Sequence, residues 1–220
     1  MHQQIYQFQR DFLGSDGIRV EKRRGDTSFR AHRHDYFEII LYRNCNGKCI
    51  LNGSRYPIYG DCLFFLTPKD YHKIEMSNTD EASSVILSFS ENLIDAELAA
   101  RLAFFSRIWN RPTREAIHTV DCLLEEYGKR FSTRAKKLFC LLNVLLCDVA
   151  EYGEGLNGSE LCISPAIAQA ITVMLSDMSK NYTLELLSRT CGLSASYFST
   201  VFHKEMGKSF KAWLSGGETQ

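Results

Sequence analysis

The sequence lacks any apolar run of the roughly 18 residues that a membrane-crossing helix requires. Its opening stretch, Met1 to Phe12, has none of the basic-then-apolar order of a secretion signal. Both absences argue against a membrane or secreted protein, and the expected location is the cytoplasm. A charge surplus is also missing: 26 basic and 26 acidic side chains cancel. Phosphate contacts supply most nonspecific affinity for nucleic acid, so any DNA binding by this chain should be weak by itself. The eight cysteines, Cys45, Cys49, Cys62, Cys122, Cys140, Cys147, Cys162 and Cys191, show no CxxC pairing or zinc-finger spacing. They are expected to be reduced thiols packed as small hydrophobes, with Cys45 and Cys49 able in addition to hold something soft. There is no Gly-rich phosphate loop, no Gly-x-Ser-x-Gly elbow and no Cys/His nucleophile pair, which removes the commonest nucleotide-binding and hydrolase chemistries. Internal repeats and low-complexity tracts are absent too.

What remains is a globular chain of 220 residues, 45% hydrophobic, enough for one large domain or two small ones. From Ile18 to about Ser90 it reads as short strands punctuated by turns. Strands are expected at Phe37–Tyr42, Lys48–Leu51, Tyr56–Tyr59, Cys62–Leu66, His72–Met76 and Ser84–Phe89. Asn46-Gly47 and Asn52-Gly53 are both read as hairpin turns, because Asn and Gly tolerate the positive φ such turns need. Many short strands at this spacing suggest a barrel or a double-sheet sandwich.

Beyond Ser90 the apolar period lengthens. Ile117, Val120, Leu124 and Tyr127 form one helical stripe, and Leu138, Leu141, Leu142, Leu145, Leu146 and Val149 a second. These predict an antiparallel helix pair over residues 113–152, packed on the barrel or used for dimerisation. Residues 153–163, with Gly153, Gly155, Gly158 and Ser159, have linker composition. Ser164-Pro165 then opens a new helix with an apolar face of Ile167, Ile171, Met174 and Leu175. The expected class is α+β, with a barrel over 1–112, the helix pair, a linker, and an all-α domain over 164–220.

In the last domain Thr183 caps a short helix in which Leu184 and Leu187 face inward, and Ser188 supplies the small side chain of a close helix crossing. Gly192 supplies the positive φ of a tight turn, Leu193 plugs the angle, and Ser194 caps the next helix. Phe198, Val201 and Phe202 fall at core spacing in that helix. Ser196, Tyr197, Ser199, Thr200, His203 and Lys204 are left facing out. This is helix-turn-helix spacing: short hydrogen-bonding side chains at the start of the second helix suit base edges, and Lys204, Lys208 and Arg189 suit phosphates. From Ser164 onward Lys180, Arg189, Lys204, Lys208 and Lys211 stand against Asp177, Glu185, Glu205 and Glu218, so five minus four leaves +1.

The run from Thr183 to Leu214, with Leu193-Ser194-x-x-Tyr197-Phe198-Ser199, Phe202-His203-Lys204, Gly207-x-Ser209-Phe210 and Trp213-Leu214, resembles the first helix-turn-helix of the AraC/XylS transcription regulators. The resemblance implies a second such motif about fifty residues on. On that reading the DNA-binding unit here is truncated or incomplete.

In the first domain Gly25-x6-His32-x-His34-x3-Glu38-x8-Gly47 and Gly60-x7-Pro68-x3-His72 resemble the two motifs of cupins, and match the sensor domains of the same family. Strand parity puts His32, His34, Tyr36, Glu38, Ile40 and Tyr42 on one face, with Arg33, Asp35 and Phe37 on the other. The cupin resemblance implies that His32, His34, Glu38 and His72 are the positions that hold a divalent metal where one is used. The regulators share the pattern without requiring a metal. The expected effector-binding residues are His32, His34, Tyr36, Glu38, Tyr42 and His72, and the expected DNA-binding residues are Ser194, Ser196, Tyr197, Ser199, Thr200, His203, Lys204 and Lys208. His2 and His118 read as ordinary surface residues.

The expectation is thus a bacterial, ligand-responsive, homodimeric regulator that is not an enzyme. Its partners would be double-stranded DNA and a small polar effector, with no cofactor required and a divalent metal as an optional guest. A metal-dependent cupin enzyme and a stand-alone sensor or dimerisation module are the alternatives.

Overall fold

The structure is a computed structural model of the whole chain. It describes residues 6–8, 13–24, 28–51, 54–68, 70–77, 81–102, 108–157, 164–176, 181–206 and 209–211. Two compact units result, Met1–Leu93 with Ser106–Asp148, and Ile94–Phe105 with Val149–Gln220.

Among the described residues, eight strands build the first unit: β1 Tyr6–Phe8, β2 Ile18–Arg24, β3 Phe29–His34, β4 Phe37–Leu51, β5 Ser54–Leu66, β6 His72–Met76, β7 Ser83–Phe89 and β8 Ile108–Asn110. β4 is the hub. One edge pairs with β5 along nearly its whole length; the other pairs with β7 over Phe37–Arg43 and with β6 over Gly47–Leu51. From there β7 continues to β2, and β6 to β3 and then β1. A strand that changes neighbours midway must bend. The bend falls at Asn44, whose φ is +50°, where the β4–β5 register shifts and the Asp61 carboxylate accepts the Asn44 N–H at 3.0 Å. Among the described residues all pairings are antiparallel except β1 with β3.

Two expectations are corrected here. Asn46-Gly47 is not a turn but lies inside β4. Gly47 is needed for close approach, since a Cβ there would sit 2.3 Å from the Glu75 carbonyl oxygen and 2.9 Å from the Met76 Cα. The Asn52-Gly53 turn lies outside the described residues, although the strand ends flanking it, Leu51 and Ser54, are paired. Phe37, expected to face out, is buried and stacks between Phe65 and Phe89 at 5.9 and 5.8 Å. It belongs to a central strand whose segment Phe37–Tyr42 is buried on both faces, so alternation does not show there.

The barrel interior gathers Ile40, Tyr42, Cys45, Cys49, Leu51, Ile58, Cys62, Phe64, Leu66, Ile74 and Ile86. Burial pushes the Cys49 thiol up to about 12 and holds Cys62 protonated as well, and Cys45 donates to the Arg43 carbonyl. These thiols behave as hydrophobes rather than soft ligands.

Helix α1 spans Ala96–Leu102, α2 Arg114–Tyr127 and α3 Arg134–Asn157. Thr113 caps α2, its side chain accepting the Ala116 N–H, a contact worth about 1 kcal/mol. The buried line of α2 is Ala116, Thr119, Val120, Leu123 and Glu126, rotated from the expected stripe so that only Val120 is shared. Ile117, Leu124 and Tyr127 of the expected stripe are half-buried along the edge of that line. In α3 Leu138, Leu142, Leu145, Leu146 and Val149 are buried, but Cys140 and Cys147 are exposed, against the expectation of buried thiols. The expected linker is helical through Asn157, and 158–163 lie outside the described residues. Each glycine in a helix costs about 1 kcal/mol, and a long helix already nucleated can extend past two of them.

In the second unit α1 packs on α4, Pro165–Ser176, followed by α5, Leu184–Thr190, and α6, Ala195–Met206. Ile167, Ala170, Ile171 and Met174 of α4 share a core with Tyr182, Leu187, Phe198, Phe202, Met206 and Phe210.

Candidate functional site

Two strands meet the hairpin-paired β4 to build the polar cluster in the barrel. In β3, His32 stands directly opposite His72 of β6, and their rings approach to 4.2 Å between centroids. His34 ends β3, and Asp35 and Tyr36 form a bend before β4 begins at Phe37. The parity argument treated 32–42 as one strand. The cluster forms regardless, because the bend returns Glu38 to the histidines, its carboxylate 3.5 Å from His34 Nε2 and 3.7 Å from His72 Nε2. Potential ligand atoms of His32, His34 and His72 all lie within 4.8 Å of one another. All four residues are buried.

The ring tautomers follow from hydrogen bonding. Nδ1 of His32 contacts the Arg30 carbonyl at 2.7 Å, Nδ1 of His34 the Tyr36 carbonyl at 2.6 Å, and Nδ1 of His72 the Asp70 carbonyl at 3.3 Å. A carbonyl oxygen only accepts, so each Nδ1 carries the proton. Burial lowers His32 and brings His72 to about 4, ahead of the opposing pull of Glu38, which leaves both neutral at pH 7 with a lone pair on Nε2. On Glu38 burial is the largest influence and pushes the carboxyl up; the His34 contact and the surrounding imidazoles pull it below its ordinary value to the extent that they carry a proton on Nε2. Lone pairs and a carboxylate therefore face one another. The Nε2 atoms of His34 and His72 are buried without a hydrogen-bond partner. Such an arrangement calls for a cation or a donor between them.

Of the other expected effector residues, Tyr36 is buried and stacked on His34 at 4.3 Å, its hydroxyl held protonated first by burial. Tyr42 lies farther along β4, edge-on to Phe64, its hydroxyl buried without a partner. Sequence reasoning missed two supporting residues. Ser88 of β7, in register with Glu38, donates to its carboxylate at 3.4 Å; only long-range pairing reveals it. Asp70 accepts from the Thr67 N–H at 2.7 Å and the Thr67 hydroxyl at 2.8 Å, fixing the turn that presents its carbonyl to His72. Its spacing two residues before His72 was the available signal.

In the second unit Thr183 caps α5 by accepting the Leu186 N–H at 3.2 Å. Ser188 is buried and its carbonyl accepts the Leu193 N–H at 2.8 Å. Gly192 has φ +68°, and Ser194 caps α6 through the Tyr197 N–H at 3.3 Å. Phe198 and Phe202 are fully buried. Ser194, Ser196, Tyr197, Thr200, His203 and Lys204 are exposed and Ser199 half-buried. Thr200 donates back to the Ser196 carbonyl at 3.0 Å. Lys208 lies outside the described residues.

Residues 15–141 match the family described as AraC-like ligand binding domain, and residues 174–215 match bacterial regulatory helix-turn-helix proteins, AraC family. The HTH-type transcriptional activator RhaS of Salmonella dublin is 32% identical over 62 residues, 28% of this chain and 22% of that protein. RhaS of Yersinia pestis (strain Pestoides F) is 29% identical over 70 residues, 31% of this chain and 26% of that one. These alignments span about a quarter of the relatives' length. Among solved structures, the AraC-like transcriptional activator CuxR is similar with a TM-score of 0.45 at 14% identity, over 82% of this chain and 72% of that one. ToxT from Vibrio cholerae gives 0.41 at 15%, over 90% and 97%. Likeness at that level adds nothing to the topology above. Where a DNA-binding unit cut short was expected, the family's helix-turn-helix domain is present over 174–215. With the family's ligand-binding domain covering more than half of its length and the helix-turn-helix following it, this chain belongs to the AraC family of bacterial regulatory proteins.

Proposed function

We propose that the chain is a ligand-responsive transcription regulator of the bacterial cytoplasm, which takes a small polar effector at the barrel cluster, dimerises through the helical region, and binds DNA through α5 and α6. The observation that carries the reading is the buried set of imidazoles and Glu38, with two unpartnered Nε2 atoms, in a chain whose other unit presents a capped helix-turn-helix. No helix among the described residues is long and apolar enough to cross a membrane. For the effector to act, it must bind the DNA-competent arrangement with a different affinity from the alternative.

The cluster fits a divalent transition ion. His32, His34 and His72 would hold it through Nε2, with Glu38 as the anionic ligand, and the Nδ1–carbonyl bonds already set the ring orientation such ligation needs. When bound, the ion would offer a Lewis-acidic anchor to a polar effector. The residues themselves orient the lone pairs, supply the negative charge and exclude water.

Elemental analysis and DNA binding test this together. A regulator gives salt-sensitive, sequence-selective DNA binding, and equal binding to every sequence contradicts it. A metal-dependent enzyme, favoured by the same convergent Nε2 atoms, predicts stoichiometric metal that His32→Ala and His72→Ala remove, with no DNA selectivity. A stand-alone sensor or dimerisation module predicts that DNA is not bound at all.

A further inference from the structure

The outer face of α3 carries an unusual set of side chains. Lys136, Cys140, Val144, Cys147 and Glu151 are all exposed. Their spacing of four, four, three and four residues keeps them within an arc of about 80° at roughly 100° per residue. One continuous helix, Arg134–Asn157, carries all five. The set is symmetric about the point between Asn143 and Val144: Cys140 and Cys147 flank that point equally, and so do Lys136 and Glu151. A second copy running antiparallel about a twofold axis there sets Lys136 against Glu151 of the partner subunit, and Cys140 against the partner's Cys147. A twofold interface has to be self-complementary in this way. A parallel pairing would set Lys136 against the partner's Lys136.

We propose that Cys140 of each chain and the partner's Cys147, set face to face where α3 of two copies pair antiparallel, form a reversible disulfide that locks the dimer under oxidation. The inference rests on the dimeric reading given above. Within one helix the two cysteines are roughly 10 Å apart along the axis, beyond the ~7 Å between Cα atoms that a disulfide spans, so the bond forms only between chains. Helices packed at about 8–10 Å between axes, with Cα atoms about 2.3 Å off each axis, bring facing Cα atoms to about 4–5 Å. That separation suits the bridge, and Val144 beside the axis supplies apolar contact. The oxidant is a peroxide or a small disulfide. With a peroxide, one thiolate attacks oxygen, the O–O bond breaks, and a sulfenic acid forms as hydroxide leaves. The facing thiol then attacks that sulfur, the S–O bond breaks, and the second oxygen departs as water. Two thiols lose two electrons and two protons, and one hydrogen peroxide becomes two waters.

The test uses the full chain with Cys122, Cys162 and Cys191 replaced by serine, treated with hydrogen peroxide or oxidised glutathione and run on non-reducing gels, with mass in solution by light scattering. The parent should give a band of doubled mass that thiol reductant removes. Cys140→Ser alone and Cys147→Ser alone should each lose it, because each remaining thiol faces serine. Mixing the two variants before oxidation should restore it. Cross-linking of either single variant by itself, or no restoration in the mixture, overturns the register while the dimer in solution leaves the wider reading standing. A monomer in solution at all concentrations overturns both.

Discussion

Replacing Gly47 by alanine should damage the site from a distance. The new Cβ would stand 2.3 Å from the Glu75 carbonyl oxygen, 2.7 Å from the Met76 sulfur and 2.9 Å from the Met76 Cα. The sulfur can swing away; the two backbone atoms cannot, because Gly47 is paired with Met76 in the β4–β6 ladder. Restoring an ordinary contact near 3.4 Å requires β6 to retreat by about 1 Å, and overpacking of this kind costs ~1–3 kcal/mol. With backbone on both sides the upper end is expected. A urea slope of ~2 kcal/mol/M then moves the unfolding midpoint by roughly 1 M or more. The same ladder carries His72 opposite Leu51, so retreat of β6 also draws His72 from Glu38, and binding of Zn²⁺ or Mn²⁺ to the chelator-treated chain should weaken about tenfold or more. Gly60→Ala is the control: Gly60 has φ +64° with open space around a Cβ, and a left-handed residue costs about 1–2 kcal/mol without touching the site. If Gly47→Ala unfolds at the same urea concentration as the parent and binds metal equally well, the close-approach argument is wrong.

For the metal-free chain, His72 binds its proton near 6.5 when unfolded and near 4 when folded. Between those values the unfolded state holds more protons, so stability falls as pH drops from about 6.5 toward 4, by on the order of 3 kcal/mol for this group. Denaturation curves across that range check it, and His72→Gln should flatten the dependence. Cys45, Cys49 and Cys62 are buried and Cys140 and Cys147 exposed, so mass spectrometry after brief alkylation of the native chain at pH 8 should find label on the latter pair and none on the former; rapid labelling of Cys49 would contradict the packing of the barrel.

The parts legible in the sequence were those set by local chemistry. Thr183, Gly192 and Ser194 each perform a role that their residue type dictates within a few positions, and the helix-turn-helix could be read nearly residue by residue. The four clustered barrel residues were legible as a pattern, though the strand parity offered for them ignored the Asp35–Tyr36 bend. What escaped was set by pairing between distant segments. Asn46-Gly47 has the composition of a hairpin turn, and only the approach of β6 shows why the glycine is there. Ser88 meets Glu38 because β7 lies beside β4. Cys140 and Cys147 fall in a leucine-rich stretch, and sequence alone placed them among the buried residues; the structure turns them outward.

Selection from a pool of random DNA duplexes at low salt, using the full chain and its Tyr197→Ala and Thr200→Ala variants, tests the central claim most directly. Both side chains are exposed, so folding should survive their removal. The account predicts that the parent enriches a defined sequence, that recovery falls steeply as salt is raised, and that the variants lose the enrichment while keeping weak general binding. Equal recovery of every sequence by the parent, or enrichment that the variants retain in full, would contradict it.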